Sequence, residues 1–137
     1  MNTNAILVQT LIAELGIAFG MLDYLILEPE PLITGFTYGE VIGPSIVLML
    51  TAGIIEVAFR GVMQRVSYSL GSWGWVCVAV IYSMYEMRHG SALHCLFAFA
   101  VALCFGWIVK GTGSVLGVSV AHCMMSYSLY LVFPFVF

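Results

Sequence analysis

The sequence predicts an all-α fold, a polytopic membrane bundle of about five transmembrane helices. The first observation behind this prediction is composition: 62% of the 137 residues are hydrophobic and 8% are charged. A typical soluble domain is about 45–50% apolar and ~25% charged. The second observation is a series of apolar runs that approach the ~20 residues an α-helix needs to cross the hydrocarbon core. Both observations exclude an ordinary water-soluble domain.

Five apolar segments can be separated along the chain, at residues 5–27, 41–59, 73–87, 91–109 and 114–137. The third segment is short for a crossing, so a bundle of four spans is the alternative. An acidic, proline-containing stretch at 28–40 follows the first segment, and glycine-containing turns at 71–72, 89–90 and 111–113 separate the others. No repeat or linker divides the sequence, which predicts one integral membrane domain over residues 1–137.

The charge pattern limits the expected binding partners and suggests how the protein is oriented in the membrane. The net charge is −3 with no basic run, so nucleic acid is not an expected partner; membrane lipid and other integral membrane proteins are. With five spans, Arg60, Arg65 and Lys110 fall on one side and Arg88 on the other. This asymmetry favours a cytoplasmic N-terminus, in a bacterial inner membrane or a specialised membrane derived from it. The first residues lack a basic region and a cleavage site, so the first helix is expected to be retained.

Several ionisable residues occur inside the apolar segments, where a charge costs a few kcal/mol on insertion scales. Glu56 and Arg60 are four residues apart on one helix face and are expected to form an ion pair. Asp23 and Glu86 lie near helix ends and are expected to reach water. Glu14 is expected to hydrogen-bond a neighbouring helix, and His94 to be a packing or interfacial residue.

Three stretches of sequence together resemble a known family. The first is E-V-A-F-R-G-V-M-Q-R at residues 56–65, and the second is Y-E-M-R-H at residues 85–89. The third is K-G-T-G-S at residues 110–114, followed by V-A-H-C-M-M-S at residues 120–126. In order and separation they resemble the CPBP family of CAAX prenyl-protein endopeptidases, bacteriocin-processing proteins and Abi-type intramembrane proteases. The resemblance covers about residues 45–130.

The resemblance implies a set of catalytic-site residues. The family pattern is E-E-x-x-x-R, then F-x-x-x-H, then H-x-x-x-N, all on transmembrane helices. Glu56 matches the second glutamate, and Arg60 the arginine. His89 matches the second-motif histidine, with Tyr85 in place of phenylalanine. His122 matches the third-motif histidine, and Ser126 stands in place of asparagine.

Two departures from the family pattern bear on activity. Ile55 occupies the position of the first glutamate, which in the family activates the attacking water together with the second-motif histidine. Isoleucine cannot accept a proton, and Ser126 is a shorter hydrogen-bond donor than the asparagine that helps stabilise the oxyanion. These departures favour a catalytically degenerate member that serves as a scaffold or an accessory subunit of a larger membrane complex.

Two alternatives remain open at the level of sequence. The protein could be an active CAAX-type endopeptidase, in which Glu86 orients His89 or supplies the missing carboxylate. It could instead bind a chlorin or haem through His94 or His122, since histidine is an axial ligand. The cofactor is otherwise unknown. A metal is not favoured, because the four cysteines show no zinc-ligand spacing, although His89, His122 and one carboxylate would suffice for a zinc site.

Overall fold

The protein is described by a computed structural model that covers the backbone of residues 3–27, 29, 38–89 and 91–136; for residues 3–6, 9, 38 and 89 it describes the backbone alone. Within these residues every regular element is helical, which confirms the all-α prediction. Most of the acidic 28–40 stretch lies outside the described residues. The α-helices are α1 (Thr3–Leu27), α2 (Tyr38–Glu56), α3 (Gln64–Ser67), α4 (Gly74–Glu86), α5 (Ala92–Thr112), α6 (Leu116–Tyr127) and α7 (Phe133–Val136).

Two of these helices continue through π-helical turns. After α2, the chain passes through the π-helical turn Val57–Met63 into α3 and a final 3-10 turn, Tyr68–Leu70. The predicted end of this helix at residue 59 is therefore wrong. The helix ends instead at Gly71, whose φ of 108° an L-residue with a side chain rarely adopts. In the same way, α6 continues through Ser128–Val132 into α7.

Four helical stretches are long and apolar enough to cross a membrane: Thr10–Leu27, Gly39–Leu70, Ala92–Thr112 and Leu116–Val136. The remaining predicted span, the third segment at 73–87, corresponds to α4, which has 13 residues. At a rise of 1.5 Å per residue it extends about 20 Å, less than the ~30 Å hydrocarbon core. The molecule is thus an integral membrane bundle of four long helical stretches and one short helix.

Close glycine packing joins the first and last helices. Gly16 and Gly20, four residues apart on α1, lie against the backbone of Ala121 and Met125 on α6. A β-carbon built on either glycine would overlap that backbone. Small residues at this spacing let membrane helices approach closely. Because both contacts advance in the same direction along the two helices, α1 and α6 run parallel.

The remaining helices alternate in direction. Arg60 and Gln64 donate hydrogen bonds to the carbonyl oxygens of Ala102 and Gly106, so the 38–70 stretch runs parallel to α5. The Ser83 hydroxyl donates to the Cys95 carbonyl, within the tight hairpin that makes α4 and α5 antiparallel. The chain therefore reverses direction at each of its connections, and α4 acts as the third of five alternating helical elements.

The buried apolar residues form two clusters on either side of α5. One joins α1, α5 and α6 around Phe105 and Val118. The other joins α4 and α5 around Ala79 and Ala102. The polar groups described below lie between and above these clusters, where three or more helices meet.

Candidate functional site

Glu56 at the end of α2 and His122 on α6 form a buried pair. The His122 Nδ1 lies 2.8 Å from the Glu56 Oε1, and the two residues are 0% and 8% exposed. The other oxygen of Glu56, Oε2, lies 3.8 Å from the Nε of Arg60. The predicted Glu56–Arg60 ion pair is therefore present, and it is extended by a histidine 66 positions further along the chain.

The π-helical segment Val57–Met63 directs the side chain of Arg60 toward the inside of the bundle. Its side chain is 1% exposed. One guanidinium nitrogen donates to the Ala102 carbonyl oxygen at 3.3 Å, and the guanidinium carbon lies 5.1 Å from the centre of the Tyr82 ring. These contacts hold the cation beside Glu56. Arg60 is accordingly a support for the carboxylate and does not count toward loop charges that set membrane orientation.

His122 also lines an internal cavity of about 130 Å³. Since its Nδ1–H can donate to Glu56, the other ring nitrogen, Nε2, is left for the cavity. Ser126, one helical turn further along α6, lines the same cavity, as does Ile55 from α2. The polar wall also includes Asp23, Tyr82, Glu86 and His94. The cavity therefore brings His122, Ser126 and Ile55 together in one lining.

The structure describes the second motif only in part, and the role predicted for His89 stays a prediction. The backbone of His89 lies in the 3-10 turn Met87–His89 after α4, but its side chain lies outside the described residues. Tyr85 is exposed and stacks with Arg88. One turn earlier, Tyr82 and Glu86 have the same four-residue spacing, and both line the cavity. Glu86 therefore brings a carboxylate to the cavity from α4.

A second buried polar cluster, which we name the Asp23–His94–Glu86 triplet, joins three helices. The His94 Nδ1 lies 2.8 Å from Asp23 Oδ1 on α1, and its Nε2 lies 3.4 Å from Glu86 Oε2 on α4. Asp23 and Glu86 are 2% and 7% exposed, so the expectation that both reach water is wrong. Each carboxylate is buried because an imidazole partner replaces the water it would otherwise need.

No single segment could have revealed the triplet, because its members are 71 and eight residues apart on different helices. The available signal was an excess of ionisable residues near the ends of three apolar segments. Glu14, the other acid of α1, is exposed on the outer face of that helix.

The contacts of the triplet affect whether His94 could bind a haem or a chlorin. Both ring nitrogens of His94 face carboxylates, and Nδ1 of His122 faces Glu56. An axial bond from His94 to haem or chlorin would have to displace one of these contacts. Among the side chains that the structure describes, no three His, Cys, Asp or Glu residues are arranged to hold a metal ion.

Comparison with known families identifies the family of the chain. A family model described as "Type II CAAX prenyl endopeptidase Rce1-like" matches residues 38–128, about two thirds of the chain, and this match includes every cavity helix except α1. No curated protein and no solved structure gives a significant match. By this match, together with its helical membrane bundle and its Glu56, Arg60 and His122, the chain belongs to the Rce1-like family of type II CAAX prenyl endopeptidases.

Proposed function

We propose that this protein hydrolyses a peptide bond of a prenylated CAAX-type substrate inside the cavity, with a catalytic set that differs from the family pattern. The observation that carries the proposal is the placement of His122. Its ring is bonded to the buried carboxylate of Glu56 through Nδ1 and faces the cavity beside Ser126. A cavity that gathers several buried ionisable groups inside an apolar bundle is more than helix packing requires, because such groups are unfavourable in a membrane.

The proposed chemistry assigns His122 and Ser126 to the oxyanion. We assign His122 a ring protonated on both nitrogens, whose Nδ1–H donates to the Glu56 carboxylate. In that state Nε2–H donates into the cavity, and the Ser126 hydroxyl can donate from the next turn of the same helix. Donors that are already oriented toward a developing negative charge stabilise the transition state strongly.

A second candidate function is a non-catalytic one, as a scaffold or an accessory subunit of a membrane complex. The observation that favours it is Ile55, whose aliphatic side chain lines the cavity at the position of the family's first glutamate. Glu86 at the second-motif spacing and Ser126 in place of asparagine are further departures. In this alternative the cavity is a remnant, and the outer helix faces bind the partner proteins.

A cleavage assay separates the two candidates. We suggest reconstituting the purified protein in liposomes and incubating it with a farnesylated peptide that ends in a Cys-aliphatic-aliphatic-X sequence, with products identified by mass spectrometry. The hydrolytic proposal expects release of the last three residues by the wild type. It also expects a rate about 10²-fold or more lower for His122→Ala, and no change for Glu14→Gln on the exposed face of α1.

The accessory-subunit alternative expects a different pair of results. The wild type would leave the peptide intact over the same time, and a defined set of membrane proteins would co-purify with it in mild detergent. A monodisperse protein that cleaves the peptide would exclude this alternative. A protein that does neither would contradict both candidates.

For membrane placement we propose a bacterial inner membrane with a cytoplasmic N-terminus. With Arg60 buried, the support comes from Arg65 and Lys110, both exposed. They lie toward the end of the bundle that holds the turns at 71–73 and 113–115, while Arg88 lies toward the opposite end. Basic residues concentrate on the cytoplasmic side of membrane proteins.

A further inference from the structure

The Asp23–His94–Glu86 triplet contributes two carboxylates and one imidazole to the same cavity as His122. Asp23 comes from α1, which lies outside the residues 38–128 matched by the family. The triplet is therefore not explained by the family's motifs.

The position of Glu86 is the informative one. Glu86 and Tyr82 have the four-residue spacing of the second motif, and both line the cavity that Ile55 and His122 also line. Because position 55 is isoleucine, it places no carboxylate at the α2 side of this cavity. Glu86 provides a carboxylate from the α4 side. Since a water occupies about 30 Å³ of liquid, a cavity of about 130 Å³ has room for a nucleophilic water beside a scissile group.

We infer that Glu86 is the general base of this protein, and that His94 and Asp23 are positioning residues that hold Glu86 ionised and oriented. The inference rests on the proposed hydrolytic function and identifies the general base that this function requires. In this protein the carboxylate–imidazole pair lies on α4 and α5. In the family the corresponding pair lies on the helices that carry the first and second motifs.

The hydrolytic step balances with these groups alone. The Glu86 carboxylate removes a proton from water as the water oxygen bonds to the scissile carbonyl carbon. The carbonyl π electrons move to oxygen, and that oxyanion accepts hydrogen bonds from His122 and Ser126. When the carbon–nitrogen bond breaks, protonated Glu86 returns its proton to the amine. The products are a new carboxylate and a free amine, and no metal or redox partner is needed.

His94 gives the inference a pH signature. The Nε2 of His94 lies 3.4 Å from one oxygen of Glu86, and the Nη2 of Arg88 lies 3.9 Å from the other. Asp23 in turn stabilises the imidazolium through Nδ1–H. The other ionisable groups at the cavity come from the α4 region and from α6 and its π-helical continuation: Tyr82, Arg88, His122 and Tyr130. The cavity residues contributed by α2 are not ionisable. Removal of His94 therefore takes away one of two cationic partners of Glu86 and leaves Arg88.

The test is the pH dependence of cleavage of the farnesylated peptide in liposomes. Glu86→Gln is expected to lower the rate about 10²–10⁴-fold, and Glu86→Asp to restore part of it. His94→Gln is expected to move the acid limb of the rate profile to higher pH, because Glu86 then stays protonated to higher pH. Asp23→Asn should shift that limb in the same direction by less. Glu14→Gln, an acid-to-amide change on the exposed face of α1, is the matched control and should leave the profile unchanged.

The outcomes separate the two proposals. If the wild type cleaves and His122→Ala does not, yet Glu86→Gln keeps its rate and its pH profile, the assignment of Glu86 is wrong and the hydrolytic function stands. If the wild type does not cleave, both fail. A thermal unfolding curve for each variant identifies loss of fold; should Glu86→Gln unfold, Glu86→Asp and the His94→Gln profile decide the question, and unshifted profiles would overturn the inference.

Discussion

The Nδ1 of His122 lies 2.8 Å from the Oε1 of Glu56, and this contact joins α2 to α6 across 66 positions of sequence. The same carboxylate faces Arg60 through its other oxygen. One buried anion thus serves two cationic or hydrogen-bonding partners on two helices. The stability of the bundle and the orientation of the His122 ring depend on the same side chain.

Replacement of Glu56 is expected to destabilise the protein strongly. In Glu56→Ala, Arg60 would remain buried without its carboxylate. Breaking a buried ion pair from one side costs about 3–5 kcal/mol in typical cases. Thermal or denaturant unfolding in detergent would measure the loss. Glu14→Ala, the same change at an exposed position of α1, is the control and should stay within about 0.5 kcal/mol of the wild type; equal effects of the two variants would contradict the buried-pair assignment.

The contact between α1 and α6 predicts a steric effect at Gly16. Gly16→Val would force a side chain into the backbone of Ala121, and overpacking of this kind typically costs about 1–3 kcal/mol. Gly53→Val on α2 is a matched control, because a β-carbon at Gly53 meets nothing within 4 Å. The midpoint of thermal unfolding should fall for Gly16→Val and not for Gly53→Val. A fall of similar size in both would mean that helix propensity, not close packing, sets the result.

A double variant tests whether Glu86 occupies the second-motif position. Glu86→His alone should abolish cleavage of the farnesylated peptide, because it removes the proposed base and Ile55 supplies no carboxylate in its place. Ile55→Glu combined with Glu86→His rebuilds the family's glutamate–histidine pair, and it should recover at least 10-fold of the lost rate. Cleavage rates of both variants, with unfolding curves to confirm the fold, provide the measurement. If the double variant is no faster than Glu86→His, the two positions do not act on a common water.

The parallel arrangement of α1 and α6 predicts the membrane topology. Because the five helical elements alternate in direction, reporters fused before Met1 and after Phe137 should lie on opposite sides of the membrane. A reporter inserted at Thr112, in the turn before α6, should lie on the same side as the N-terminal one. Protease protection in membrane vesicles would check all three. Termini on the same side of the membrane would contradict the alternating directions of the helices in this structure.

The sequence predicted those features that depend on composition and local spacing. Apolar runs located the helices to within a few residues, except where the π-helical turn Val57–Met63 carries the second one on to Leu70. The four-residue spacing of Glu56 and Arg60 predicted their ion pair, because one turn of helix is enough to fix it.

The features that escaped prediction depend on tertiary packing. The contacts of His94 with Asp23 and Glu86 arise only because α1, α4 and α5 meet at one level of the bundle. Position near a helix end suggested that Asp23 would reach water, and only the neighbouring helices show that it does not. The choice between Tyr82–Glu86 and Tyr85–His89 as the second motif likewise depends on which face of α4 is turned toward the cavity.

The contribution of Asp23 has a consequence for how the family is recognised and used. A segment that begins at Tyr38 would contain every recognisable motif and still lack one wall of its own cavity. Two chains with identical motifs but different first helices would then differ in chemistry. An expression fragment or a chimera designed around the matched region should therefore include α1, and the residue opposite His94 should be inspected before activity is assigned to a relative.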